Sequence, residues 1–289
     1  MISGNHHSRT LCIWSNTLGI NRLCSTSFPS PREVGMGTST RLPGPKNGSW
    51  TAAKGRLGTW TPDATSRPDQ LLEHDQQRAE AIAAQYQRSL RDALNADPEA
   101  FGIRAAAEQA GGRLIEFLDG LGRADLSLVG DLAVGDDADE FVRRFVGQIA
   151  GDGQLIVDAA VRRAARRVAE HLVTQEGPLA DPGRPRPVTG ELFCALYRAF
   201  FGEVVGEFVH ILIAENVKIA VPALAILDPT DVVAGFVADQ VVKVLPNPCA
   251  EAVKHGPEPP RLADVAKDLL TTTVAQALGL GDSGLELAA

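Results

Sequence analysis

Between Asp69 and Asn95 apolar positions return every three or four residues, at Leu71, Leu72, Ala79, Ile82, Tyr86, Leu90, Ala93 and Leu94. That period predicts an amphipathic helix, opened by Pro68-Asp69. Asp97-Pro98-Glu99 closes it and starts a second helix over Phe101–Leu118, because proline fits a first helical turn. Gly111-Gly112 should weaken the middle of that helix. Asp137-Ala138-Asp139-Glu140 then sets acids at the positive end of a helix carrying Phe141, Phe145, Val146 and Ile149. Gly151-Asp152-Gly153 breaks the chain before a long helix predicted over 154–174.

Pro178, Pro182, Pro185 and Pro187 cannot lie inside a helix, so 177–188 is expected to link two parts of the chain. Leu192, Phe193, Leu196, Tyr197, Phe200 and Phe201 open the most apolar stretch, which runs from Thr189 to about Val221. Arg198, Glu203, Glu207, His210, Glu215 and Lys218 interrupt it, whereas a membrane span needs about 20 predominantly apolar residues. It predicts a central buried helix. Pro222 ends it, and Asp228-Pro229-Thr230-Asp231 caps a valine-rich successor, where Ala234, Ala238 and Gln240 favour helix over strand. Pro246-Asn247-Pro248-Cys249 ends that element, and a last amphipathic helix is expected over 260–278.

The pattern therefore predicts an all-α multi-helix bundle. Its expected parts are a helical lobe over 68–176, the linker 177–188, a second lobe over 189–280 and a frayed tail over 281–289. Residues 36–67 read as a flexible basic arm, since Gly and Pro bar regular structure up to about residue 48. Trp50, Leu57 and Trp60 recur near helical spacing beyond it, predicting a short turn capped by Ser49. The two tryptophans admit two readings: a docking handle for a partner, or side chains folded back onto the body. Residues 1–35 differ in composition from the Ala-, Val- and Arg-rich body and lack a signal peptide's continuous apolar run. They read as an upstream extension, with a start at Met36.

Charge sharpens this division. The chain carries −8 overall, while residues 1–62 hold seven basic residues and one acid, leaving −14 for the rest. An acidic body disfavours non-specific nucleic-acid binding, which draws on clustered Lys and Arg. The four cysteines lie far apart without a C-x-x-C pair, which suggests neither a zinc site nor a disulfide framework. Cys194 and Cys249 are expected as small core residues, in keeping with a reducing, cytoplasmic setting.

No phosphate-binding loop, G-x-S-x-G elbow or H-E-x-x-H motif occurs, and no cofactor or metal is implied. Glu207 and His210 share a helical face and form the least weak acid/base couple. Glu207-Phe208-Val209-His210 also matches the Glu-x-x-His of carboxylate-bridged metal bundles, but those need a second copy, and none occurs. Arg162, Arg163, Arg166 and Arg167 stack in two i,i+4 pairs. They form either a grip for an acidic partner or a face balanced by nearby acids.

Met36-Gly37-Thr38-Ser39-Thr40, Gly44-Pro45, Trp50 and Ala53-Lys54 resemble the opening of a helical accessory protein of Qat-type bacterial anti-phage defence operons. The resemblance covers the arm alone. It implies a non-enzymatic defence component whose partners are an ATPase, a deazapurine-synthesis-like enzyme and a DNase. It also implies that removal of Met36 exposes Gly37 as the acceptor of a deazapurine group. The opening is not an N-myristoylation motif, because the sixth position is Arg41. A fainter resemblance, carried by residues 196–201, Ala214–Lys218 and Leu245–Cys249, is to a helical domain that precedes NACHT ATPases. The other readings are a helical adaptor unconnected with defence and, third, an enzyme using Glu207 and His210.

Overall fold

Alternating polar and apolar faces place helices along most of the body, and the computed structural model bears this out. It describes residues 10–11, 25–26, 42–63, 71–123, 138–153, 155–174, 177–179, 186–217, 228–257 and 259–281. The helices are α1 (Gly48–Gly58), α2 (Glu73–Ala96), α3 (Ile103–Gly122), α4 (Ala138–Ala150) and α5 (Ile156–Val173). They continue with α6 (Gly190–Asn216), α7 (Pro229–Val244), α8 (Pro248–Lys254) and α9 (Leu262–Ala277). Thr10–Leu11 pairs antiparallel with Ser25–Thr26, the strand content of the described residues. The fold is all-α, a multi-helix bundle.

α6 is apolar on nearly every side because it is the centre. α3, α5, α7 and α9 pack around it, and Tyr197, Phe200, Phe201 and Phe208 are fully buried within it. Burying each such ring contributes about 1.5–3 kcal/mol. Tyr197 satisfies its hydroxyl by donating to Thr273 Oγ1 on α9 at 2.7 Å. Burial pushes that phenol up to about 12, against a lowering by the Thr273 hydrogen bond. Helices on both sides of the proline-rich segment share one apolar cluster, which extends from Trp50 to Leu278.

Local chemistry fixes the helix ends. Thr189 caps α6 by accepting the Leu192 N–H at 3.2 Å, and Asp228 caps α7 by accepting the Thr230 N–H at 2.8 Å. Asn247 accepts the Cys249 N–H at 3.0 Å and Pro248 takes the first position of α8, a helix the sequence pattern did not suggest. α1 is capped by Asn47, not by Ser49 as expected: Asn47 Oδ1 accepts the Trp50 N–H at 2.8 Å.

Two further expectations are corrected. Within the arm, residues 48–58 are helical, and Trp50 and Trp60 are 5% and 4% exposed, so neither offers an exposed handle. Trp50 meets the Tyr86 ring edge-on at 5.1 Å between centroids, and Trp60 Nε1 donates to the buried Asp75 carboxylate at 3.0 Å. Two indoles bury too much apolar surface to stay in water when a helix face is within reach. The second correction concerns Cys194 and Cys249, which are bonded to each other with their Cα atoms 6.0 Å apart. Fifty-five residues separate them, and the packing of α8 against α6 closes that gap. The cysteines therefore do not argue for a reducing compartment. No helix among the described residues is long and apolar enough to cross a membrane.

Candidate functional site

Three helices bring six charged or titratable side chains together. α5 presents Arg163 and Arg167, four residues apart and so stacked on one face. α6 answers with Glu203, Glu207 and His210 at the i, i+4, i+7 positions of one stripe. α7 adds Asp231 from its first turn.

Glu207 lies deepest, with 6% of its side chain exposed. Its two oxygens take one arginine each: Oε1 accepts from Arg167 Nη2 at 2.6 Å and Oε2 from Arg163 Nη1 at 3.3 Å. Arg167 Nε also pairs with Glu203 Oε2 at 3.2 Å. Burial disfavours the Arg167 cation, yet Glu203 and Glu207 outweigh it and hold its pKa above the ordinary value. The arginines keep about half of their side-chain surface in water, 51% and 46%, so they are lids over a buried carboxylate.

His210 turns to the other side of the stripe, where its Nδ1 and Asp231 Oδ1 stand 3.0 Å apart. Desolvation opposes protonation of His210, but the Asp231 hydrogen bond and charge, helped by Glu207, prevail over it and over Arg163, and its pKa is raised. For Asp231 desolvation pushes upward, while His210, Arg167 and Arg163 pull harder and its pKa is lowered. Three carboxylates, two guanidiniums and one imidazolium balance only when His210 carries its proton.

This balance predicts a pH dependence. A raised histidine stabilises fully below its unfolded value of about 6.5, and loses that contribution as pH rises through the folded value. The lowered Asp231 stabilises above its unfolded value of about 3.9, and loses its share as pH falls through the folded one. Between those limits both contributions stand. Urea midpoints measured from pH 5 to 9 should fall on the alkaline side in the natural chain. In His210→Gln that alkaline step should vanish, and a step of the same size would refute the assignment.

The residues singled out from sequence are thus distributed unevenly. Glu207 and His210 share a face and the Glu207 charge helps raise the His210 pKa, but their hydrogen bonds run to different partners. His210–Asp231 is a dyad, and no hydroxyl or thiol is hydrogen-bonded to His210 among the described residues. The arginine quartet splits: Arg163 and Arg167 face α6, while Arg162 donates to the Gly153 carbonyl at 2.6 Å and Arg166 to Glu170 at 2.7 Å. Acids therefore balance Arg163, Arg166 and Arg167, while Arg162 meets a backbone carbonyl. No group of three metal-ligating side chains converges among the described residues. Gly37 lies outside the described residues.

A second constellation was not foreseen. The side-chain amide of Asn216, the last residue of α6, bridges the root of the arm. Its Nδ2 donates to the Leu42 carbonyl at 3.1 Å, and its Oδ1 accepts the Gly44 N–H at 3.2 Å. Gly44 must be glycine, because a Cβ there would stand 2.6 Å from Trp50 Cζ2. Asn47 Nδ2 donates to the Ser89 carbonyl at 2.9 Å, and Ser89 Oγ donates back to Asn47 Oδ1 at 2.8 Å. A Gly-Pro with a tryptophan six residues beyond the glycine was the available clue.

Fold and site together define an all-α bundle with an internally compensated charged clasp and an anchored N-terminal segment. No family model, curated protein or solved structure matches the chain.

Proposed function

We propose that the chain is a non-enzymatic component of a bacterial anti-phage defence system, working in the cytoplasm through protein contacts, with Gly37 as a modification acceptor. The observation that carries this reading is the anchor at the root of the arm. Residues of the Qat-like opening are structural parts of it: Gly44 lies under the Trp50 ring, and Ala53 is fully buried in α1. A fixed root gives the segment upstream of Leu42 a defined point of departure. Five residues separate Leu42 from Gly37, a reach of at most about 17 Å. A partner enzyme that modifies Gly37 must therefore sit against the body itself. The charged groups considered for catalysis are engaged with one another, which supports a scaffold role over an enzyme. In the cytoplasm Cys194 and Cys249 would be held as thiols. The partners by resemblance remain the operon's ATPase, deazapurine-synthesis-like enzyme and DNase, with no direct role for nucleic acid or membrane.

The test is the mass of the N-terminal peptide from protein made in its native host with neighbouring genes present. A peptide beginning at Gly37 with the added mass of a deazapurine is the expected result. An unmodified peptide beginning there would remove the acceptor role and leave a helical adaptor. A peptide containing residues from the first 35 would overturn the proposal, because Gly37 would have no free amine.

A further inference from the structure

α2, α6, α7 and the end of α9 meet around a cavity of about 40 Å³, distinct from both constellations above. Its floor is apolar, with Leu90, Val205, Val241 and Leu278 each buried. A water needs roughly 10–15 Å³ measured in this way, so the space holds about three, the bulk of a short alkyl chain. The rim is cationic. Arg88 and Arg91 stand three residues apart on α2 and line the same opening.

The two arginines are not equivalent. The stem of Arg91 lies along Gly279, where a Cβ would come within 3.3 Å of its Cβ and Cγ. Gly279 has φ +75°, a conformation that favours glycine, so one residue both ends α9 and leaves room for Arg91 beside the cavity. The carbonyls ending α9 carry partial negative charge, and Arg91 offsets them. Arg91 also forms a loose ion pair with the neighbouring Asp92, 3.9 Å from Nε to Oδ1. Arg88 has no ion pair or hydrogen bond among the described residues. An unpaired guanidinium beside an apolar hollow, in a chain carrying −14 beyond residue 62, is a half-built anion site.

We propose that this cavity binds a short aliphatic carboxylate. The alkyl chain lies on Leu90, Val205, Val241 and Leu278, and the carboxylate meets Arg88 at the rim with Arg91 behind it. This is the common anatomy of small-molecule sites, apolar walls with a few placed polar groups. It is independent of the proposed defence role.

The experiment is a titration of the full chain, followed by NMR and calorimetry, with sodium butyrate as probe and sodium chloride as the ionic control. Saturable binding is expected, with a dissociation constant on the order of 1 mM for so small a ligand. Butyramide, which keeps the shape and loses the charge, should bind about tenfold more weakly. Acetate, which keeps the charge and loses the chain, should weaken by a similar factor. Arg88→Gln should lose about tenfold and Arg88→Lys less, because a single charge without the fork is partly sufficient. Val244→Phe, at the cavity wall, should abolish binding with both arginines intact. Equal affinities for butyrate and butyramide, unaltered binding in Arg88→Gln, or only a linear, chloride-like response would each overturn the proposal. Arg88 is half-buried and makes no ion pair or hydrogen bond among the described residues, so circular dichroism of its variants should match the natural chain and keep the result readable.

Discussion

Alanine at Gly202 and Gly206 together should destabilise the chain by about 3–4 kcal/mol, the largest loss expected from adding two methyl groups. Both glycines face α7 from the central helix. A Cβ at Gly202 would lie 2.5 Å from Val242 Cγ2 and 2.8 Å from the Ala238 carbonyl oxygen. A Cβ at Gly206 would lie 2.8 Å from the Ala234 carbonyl oxygen and 3.0 Å from Ala238 Cβ. A crowded side chain can change rotamer, but a helical carbonyl cannot leave without moving its helix. The two helices must separate, and interiors packed near crystal density do not yield locally. Alanine restores up to about 1 kcal/mol of helix propensity per site, and the overpacking of typically 1–3 kcal/mol, here at its upper end, outweighs it. The two sites share Ala238, so their costs will not simply add.

Gly112→Ala is the control, since its new Cβ would meet only Leu270 Cδ2 at 3.9 Å. That variant should gain about 0.5–1 kcal/mol through propensity alone. Urea midpoints at constant slope read all of these values. A double variant as stable as the natural chain would mean that α6 and α7 are not in contact at this crossing.

These glycines show where the sequence was legible and where it was not. A period of 3.6 tells which face of a helix is buried, and it located α2, α3, α4, α5, α6, α7 and α9 closely. It does not tell what the face meets. Gly111-Gly112 looked like a weakness in α3, yet Gly111 is a slot: a Cβ there would stand 2.5 Å from the tip of the Phe201 ring. Asp231 looked like a helix-start acid and is also the partner of His210, 21 positions away. Cys194 and Cys249 looked unrelated because only the return of the chain through α7 brings them together. Trp50 lies in α1 as its spacing suggested, Trp60 falls just beyond the helix end, and nothing local could decide between a partner's surface and the chain's own. Asn247-Pro248 combined two known helix-start features, a capping side chain and a first-turn proline, yet in the sequence they read only as the end of α7, and α8 was missed. In each remaining case the missing fact was the identity of a neighbour distant in sequence, which periodicity does not encode.

Glu207→Ala should cost about 3 kcal/mol, the low end of the 3–5 kcal/mol seen when one partner of a buried ion pair is removed. The low end applies because Arg163 and Arg167 are about half exposed and can turn their charges to water. Glu207→Gln keeps the shape and two hydrogen-bonding positions while removing the charge, and should cost about half as much. A double-mutant cycle with Arg167→Ala should return a coupling of about 1–3 kcal/mol, because Arg167 Nη2 and Glu207 Oε1 stand at 2.6 Å. Near-zero coupling would reduce the clasp to a surface ornament. The same variants separate a scaffold from an enzyme. Glu207→Gln, assayed at a temperature where it is still folded, should retain whatever activity the natural chain shows with its partners. A variant that folds fully and loses all activity would give Glu207 a chemical role, and the scaffold reading would have to yield. Stability and activity must therefore be measured on one preparation. A clasp that only holds α5 to α6 fails through unfolding, whereas a reacting carboxylate fails while the helices stay in place.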